Sequence, residues 1–153
     1  MNIVPMNSSH IKRAAQIERL CFPDPWPEAF FVSELNNPGC IYLAALEGDE
    51  LLAYAGLQYV LDEGYINNIA VAPGYRRLGI ASRLLSALEQ RAEELELAFM
   101  TLEVRSGNSP AIALYESLGF KPVGLRKNYY ERPKEDALLM TKYLSDEGQL
   151  SST

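Results

Sequence analysis

The chain has 153 residues, the length of one ordinary domain, and shows no linker or internal repeat that would divide it. About 70% of the unfolded surface can be buried at this size, and 48% hydrophobic against 22% charged residues excludes a disordered chain. The net charge of −6 removes the basic footprint of a general nucleic-acid binder, and two cysteines with one histidine supply neither a disulfide framework nor a zinc ligand set, so no metal is expected.

Met1 to His10 lacks the long apolar stretch of a secretory signal, and no apolar run approaches the ~20 residues that cross a bilayer, so a cytoplasmic protein without a membrane partner is expected. The glycosylation pattern Asn7-Ser8-Ser9 has no meaning in such a chain. A short strand over Ile3 to Met6 precedes a helix from about Ser9 to Cys21, with Ser8 or Ser9 as its N-cap and Ile11, Ala14, Ala15, Ile17 and Leu20 among its apolar positions. Pro23, Pro25 and Pro27 forbid its continuation and make an aromatic-rich elbow, after which Glu28 to Leu35 resumes a helical pattern. Cys21 and Cys40 read as small buried hydrophobes.

Three strands follow over Ile41 to Leu46, Leu51 to Leu61 and Tyr65 to Val71, and their short polar connections predict antiparallel hairpins. From Gly79 to about Leu95, the spacing of Ile80, Leu84, Leu85, Leu88, Ala92 and Leu95 predicts an amphipathic helix. Its length suits a right-handed crossover to a parallel strand over Phe99 to Val104. A helix over Ser109 to Leu118 and strands over Phe120 to Arg126 and Ala137 to Tyr143 complete the pattern, the last two flanking a loop through Arg132-Pro133-Lys134. The fold class is α/β with a mixed, mostly antiparallel sheet and flanking helices.

The turn Ala72 to Gly79 opens the long helix, and such a turn offers backbone N–H groups and the positive end of a helix dipole to an anion. A plain helix start with two solvated arginines is the other reading. Gly74 and Gly79 share the spacing of a phosphate loop, but Ile80-Ala81 stands where a Lys-Ser or Lys-Thr pair is required, and no G-x-G-x-x-G is present.

Arg76-Arg77-Leu78-Gly79-Ile80-Ala81 resembles the (Gln/Arg)-x-x-Gly-x-(Gly/Ala) signature of the GNAT N-acetyltransferases. The resemblance covers roughly Met1 to Tyr143. Asn68-Ile69-Ala70-Val71, Leu102-Glu103-Val104-Arg105, Asn108 with Ala111 to Phe120, and Asn128-Tyr129-Tyr130 with Glu135-Asp136-Ala137 are similar to the RimI branch, which acetylates the N-terminal alanine of a small-subunit ribosomal protein. The resemblance implies a GNAT fold over 1–144 with a splayed parallel strand pair, and 145–153, which has little to bury, reads as a flexible tail. It implies acetyl-CoA as co-substrate, with its pyrophosphate on the N–H groups of Arg77, Leu78, Gly79, Ile80, Ala81 and Ser82 and with Arg76 in the same signature. The pantetheine arm would lie on the main chain of Ile69, Ala70 and Val71 where that strand leaves its parallel neighbour, and an N–H near Val71 would meet the thioester carbonyl.

An α-amine must lose a proton before it attacks, and Glu103 near the end of its strand is the candidate base; a strand-end glutamate facing water is the plainer reading. Tyr115 is the matching acid for the departing thiolate, although its stripe with Ala111, Ile112 and Leu118 also suits a core tyrosine. The resemblance gives Asn108 and Tyr115 coenzyme contacts. Phe22, Trp26 and Tyr130 are candidate walls of the acceptor groove or aromatic packing under long connections. A ribosomal-protein N-terminus is the expected partner, and the acidic chain would assist encounter with a basic one. Acetylation of lysine or of a small amine, and a non-catalytic acetyl-CoA-responsive module, are the alternatives; Glu103 with Tyr115 argues against the module.

Overall fold

Alternating apolar residues and short polar turns build most of the sheet, and the helices cover it with apolar stripes. The computed structural model describes residues 1–144 and contains β1 (Asn2–Pro5), a 3-10 turn (Ser8–His10), α1 (Ile11–Cys21), α2 (Glu28–Leu35), β2 (Cys40–Glu47), β3 (Glu50–Val60), β4 (Glu63–Val71), α3 (Ile80–Glu94), β5 (Phe99–Arg105), α4 (Ser109–Ser117), β6 (Lys121–Glu131) and β7 (Lys134–Tyr143). The seven strands follow the order β1-β2-β3-β4-β5-β7-β6. The expected tail over 145–153 lies outside the described residues. The chain divides into two compact units, Met1–Tyr59 with Asn67–Arg91, and Val60–Ile66 with the described residues from Ala92 onward.

In the first unit β1, β2 and β3 are antiparallel, with Ile3 opposite Ala45 and Leu43 opposite Ala55. Ala14, Ala15 and Ile17 of α1 and Phe31 of α2 are fully buried with Tyr54, and Phe31 meets the Tyr54 ring edge-on at 5.3 Å. These residues form one core cluster, with Phe22, Trp26 and Tyr75 packed against it.

In the second unit β4 begins parallel to β5, with Glu63, Gly64 and Tyr65 opposite Phe99, Met100 and Thr101. β5 then pairs antiparallel with β7, placing Glu103 opposite Leu139. Phe99 stands edge-on to both Tyr65 and Tyr143.

Three local expectations differ from the structure. Asn7, rather than Ser8 or Ser9, caps the start of the first helical segment, because its carboxamide accepts from the Ser9 N–H at 2.9 Å while His10 Nδ1 accepts from the Asn7 N–H at 3.0 Å. The last hairpin is longer than its composition suggests: β6 runs to Glu131 and β7 starts at Lys134. Its polar stretch is absorbed by a bulge between Arg126 and Tyr130, where Asn128 takes φ 54° and donates its N–H to Asp136 at 2.8 Å. Neither cysteine is fully buried. Each ends beside an acceptor, Cys21 on the Val71 carbonyl and Cys40 on the Glu34 carboxylate, and burial followed by Glu34 pushes the Cys40 thiol up to about 12.

Gly56 is required by a close approach. A Cβ there would lie 2.3 Å from the ring of Tyr42, whose hydroxyl is tied to Glu34 at 3.0 Å. Gly56→Ala is therefore expected to cost about 3 kcal/mol by overpacking, read as a lower urea midpoint with an unchanged slope.

Candidate active site

The first unit carries the turn between β4 and α3. The turn after β4 holds Gly74, Arg77 and Gly79 at φ 93°, 63° and 79°. Arg77 is the one of these with a side chain, and a left-handed non-glycine residue stores about 1–2 kcal/mol that the surroundings must offset. The first bond of α3 runs from the Arg83 N–H to the Gly79 carbonyl at 3.1 Å, so the N–H groups of Ile80, Ala81 and Ser82 precede the helical ladder. No acidic residue occupies that first turn, and a Cβ placed at Gly74 or Gly79 would meet nothing within 4 Å. Open space, left-handed backbone and clustered donors suit a pyrophosphate.

The strand before the turn has a defined polarity. Ala72 donates its N–H to Leu52 of β3 at 2.8 Å; alternation then turns the N–H and C=O groups of Ile69 and Val71 away from β3, and those of Ala70 toward it. The Val71 carbonyl accepts from the Cys21 thiol at 3.4 Å and from Arg76 Nε at 3.3 Å, and Arg76 also reaches the Cys21 sulfur at 3.2 Å. Arg76 therefore has its guanidinium on the strand end. The Ile69 N–H is held by the Asn68 carboxamide at 3.0 Å.

The elbow aromatics pack inward. Trp26 lies 4.2 Å from the Phe30 ring and 5.8 Å from Phe31, and both Phe22 and Trp26 remain partly exposed.

The second unit holds the titratable cluster. Glu103 of β5 forms an ion pair with Arg126 Nε at 3.5 Å and accepts a hydrogen bond from the Tyr129 hydroxyl, which raises the Tyr129 phenol. Tyr130 stacks under the Arg105 guanidinium at 4.3 Å; burial first, then the Glu103 charge, pushes its phenol up to about 12. Arg105 is itself tied to Glu135 at 3.2 Å and to the carbonyls of Arg132 and Pro133, while Glu135 accepts from the Gly107 N–H at 2.6 Å. That clamp fixes the hairpin tip to the turn before α4. Asn108 caps α4 by accepting from the Ala111 N–H at 3.3 Å. Tyr115, one further helical stretch along, is 8% exposed, edge-on to Phe120 at 6.1 Å, and pushed up to about 12 by burial. Its phenol keeps its proton at neutral pH.

Sequence reasoning missed Arg126 and Tyr129, whose meeting with Glu103 depends on the hairpin bulge. It also missed Glu18, a carboxylate on the apolar stripe of α1 with Ile11, Ala14 and Ala15, a spacing at which a charged residue is itself a signal.

The acetyltransferase (GNAT) family model matches residues 11–120, and the chain belongs to that family. The Escherichia coli K12 [ribosomal protein bS18]-alanine N-acetyltransferase is 39% identical over 147 residues, covering 94% of this chain and 97% of that protein. The Haemophilus ducreyi protein of the same name is 37% identical over 137 residues, covering 86% and 92%. The crystal structure of the ribosomal-protein-S18-alanine N-acetyltransferase from Escherichia coli superposes with a TM-score of 0.87 at 36% identity, covering 94% of each chain.

Folding raises the Tyr115 and Tyr130 phenols from about 10 to about 12. The native chain then binds these protons more tightly than the unfolded chain above about pH 10, so the contribution is complete below that pH and is lost as pH rises through about 12. The urea midpoint should fall over this window, and Tyr115→Phe should make the fall shallower.

Proposed function

We propose that this chain transfers the acetyl group of acetyl-CoA to a protein N-terminal α-amine, that of an N-terminal alanine in a small-subunit ribosomal protein, by direct attack within a ternary complex. The observation that carries the chemistry is the company of Glu103: a carboxylate held by Arg126 and Tyr129, in one unit with the buried, protonated phenol of Tyr115. The acceptor rests on what the relatives are named for.

The N–H groups from Arg77 to Ser82 take the pyrophosphate, and Asn108 contacts the coenzyme while capping its helix. Arg76 supports the site by holding the Val71 carbonyl and Cys21. The Ile69 carbonyl and Val71 N–H, turned from β3 while Ala70 pairs toward it, receive the pantetheine amides and the thioester carbonyl, and the Val71 N–H stabilises the negative charge that develops on that oxygen. Glu103 accepts the ammonium proton, directly or through a water, and the incoming amine competes with Arg126 for it. The amine nitrogen bonds to the carbonyl carbon, the C–S bond breaks, and Tyr115 gives its proton to the leaving thiolate; the second proton, shed by the nitrogen as the amide forms, passes through solvent to the Tyr115 phenolate, and Glu103 releases the first to water. Phe22 and Trp26 in the first unit, and Tyr130 in the second, are the aromatic residues assigned to acceptor contact. Residues 1–144 act as a single acetyltransferase domain, in the cytoplasm where ribosomal proteins are made.

Incubation with acetyl-CoA and a hexapeptide bearing the ribosomal acceptor's N-terminus should add one acetyl group, placed by mass spectrometry on the terminal amine and absent from an N-blocked, lysine-containing control. Acetylation of the lysine alone would move the function to side-chain amines, and acetyl-CoA binding without any product would favour a binding module. Glu103→Gln should lower kcat by about 100-fold or more and raise the pH optimum with little change in acetyl-CoA affinity. Tyr115→Phe should slow transfer with the fold intact, and an unchanged rate would reduce Tyr115 to packing.

A further inference from the structure

The mechanism leaves one buried carboxylate unused. Glu18 of α1 is 1% exposed, and three donors converge on its two oxygens: the Trp26 N–H on Oε1 at 3.0 Å, and the Tyr54 hydroxyl and Asn68 Nδ2 on Oε2. Asn68 Nδ2 also lies 3.0 Å from the Tyr54 hydroxyl, and its carboxamide oxygen faces back onto the Ile69 N–H at 3.0 Å. Burial and the Glu18 charge both raise the Tyr54 phenol, which keeps it a donor.

We propose that Glu18 is a positioning residue, whose single carboxylate sets both the Trp26 elbow on the acceptor side and, through Asn68, the main chain at Ile69 that receives the acyl arm. The logic is one of donors and acceptors. A carboxylate only accepts, so it forces the amide end of Asn68 toward itself and the carbonyl end toward Ile69. That leaves the Ile69 N–H occupied and its carbonyl as the group this residue offers to a ligand. The same carboxylate holds Trp26 by its main chain, which fixes where the indole starts. A buried carboxylate with three donors is costly to rearrange, so the two placements are rigid and coupled. The inference rests on the functional reading above, and acetyl-CoA binding tests it without any acceptor.

Glu18→Gln keeps the shape but replaces one acceptor by a donor, setting N–H against N–H or O–H at the site. Acetyl-CoA affinity, measured by calorimetry on chain shown to be folded by circular dichroism, should fall about 10-fold, with a similar loss in kcat/KM for the hexapeptide. Asn68→Asp alone should also be impaired, because two carboxylates then face each other. In the double variant Glu18→Gln with Asn68→Asp, the new amide donates to the new carboxylate, which still accepts from Ile69; affinity should return to within about 3-fold of the parent. A role in stability alone would lower the melting temperature of Glu18→Gln and leave acetyl-CoA affinity unchanged, which would overturn the proposal, as would a double variant no better than the worse single one. If Glu18→Gln does not fold, Asn68→Ala at its half-buried position carries the test: about 10-fold weaker acetyl-CoA binding supports the proposal, and unchanged binding overturns it. A parent protein that binds acetyl-CoA and acetylates no peptide would count against the assigned acceptor alone.

Discussion

The end of β4 is set by competition for one carbonyl. Val71 offers its C=O to the Cys21 thiol and to Arg76, with its N–H directed away from β3. Because Arg76 reaches back to the strand it follows, the turn doubles over on itself. The chain can then regain a helical direction by Gly79 through left-handed residues at Gly74, Arg77 and Gly79. The local strain at Arg77 thus belongs to the same constraint as the bonds at Val71. Its product is a helix start with open space at Gly74 and Gly79 and no acidic residue in its first turn, a suitable seat for a phosphate group.

A different device organises the second unit. Glu103 has company on the hairpin that follows α4, and the hairpin is held by the Arg105 clamp rather than by the sheet ladder alone. The bulge from Arg126 to Tyr130 changes which side chains share a sheet face with Glu103, bringing Arg126 and Tyr129 to the carboxylate. Arg105 over the Tyr130 ring adds a cation–π contact. Gly107 completes the clamp, since a Cβ there would lie 2.7 Å from Glu135. The base of the proposed reaction therefore sits in a bonded cluster whose geometry the loop itself defines.

Carboxylates recur as fasteners. Glu18 joins α1 to Tyr54 and Asn68, while Glu34 of α2 takes Tyr42, Cys40 and Asn67. Neighbouring asparagines of β4 thus each answer to an acid on a helix, and both acids are matched by phenols that burial keeps protonated. Apolar packing places α1 and α2 on the sheet, and these pairs determine where along it they stop.

Much of this was legible in the sequence because the signals are local. The spacing of Ile80, Leu84, Leu85 and Leu88 set α3, the prolines set the elbow, and the polar connections set the hairpins. The signature from Arg76 to Ala81 identified the family, with Glu103 and Tyr115 following from the wider resemblance. Tertiary structure alone decided what those residues touch. Arg76 reads in sequence as the first residue of the coenzyme signature, and only the structure shows its guanidinium on the Val71 carbonyl; Glu18 reads as one more glutamate on a helix and turns out to be buried under three donors. Periodicity records which face of an element is covered, a property of neighbours in the chain. A hydrogen-bond partner fifty residues away, as Asn68 is from Glu18, depends on the register and bulges of strands between them, which no local pattern encodes.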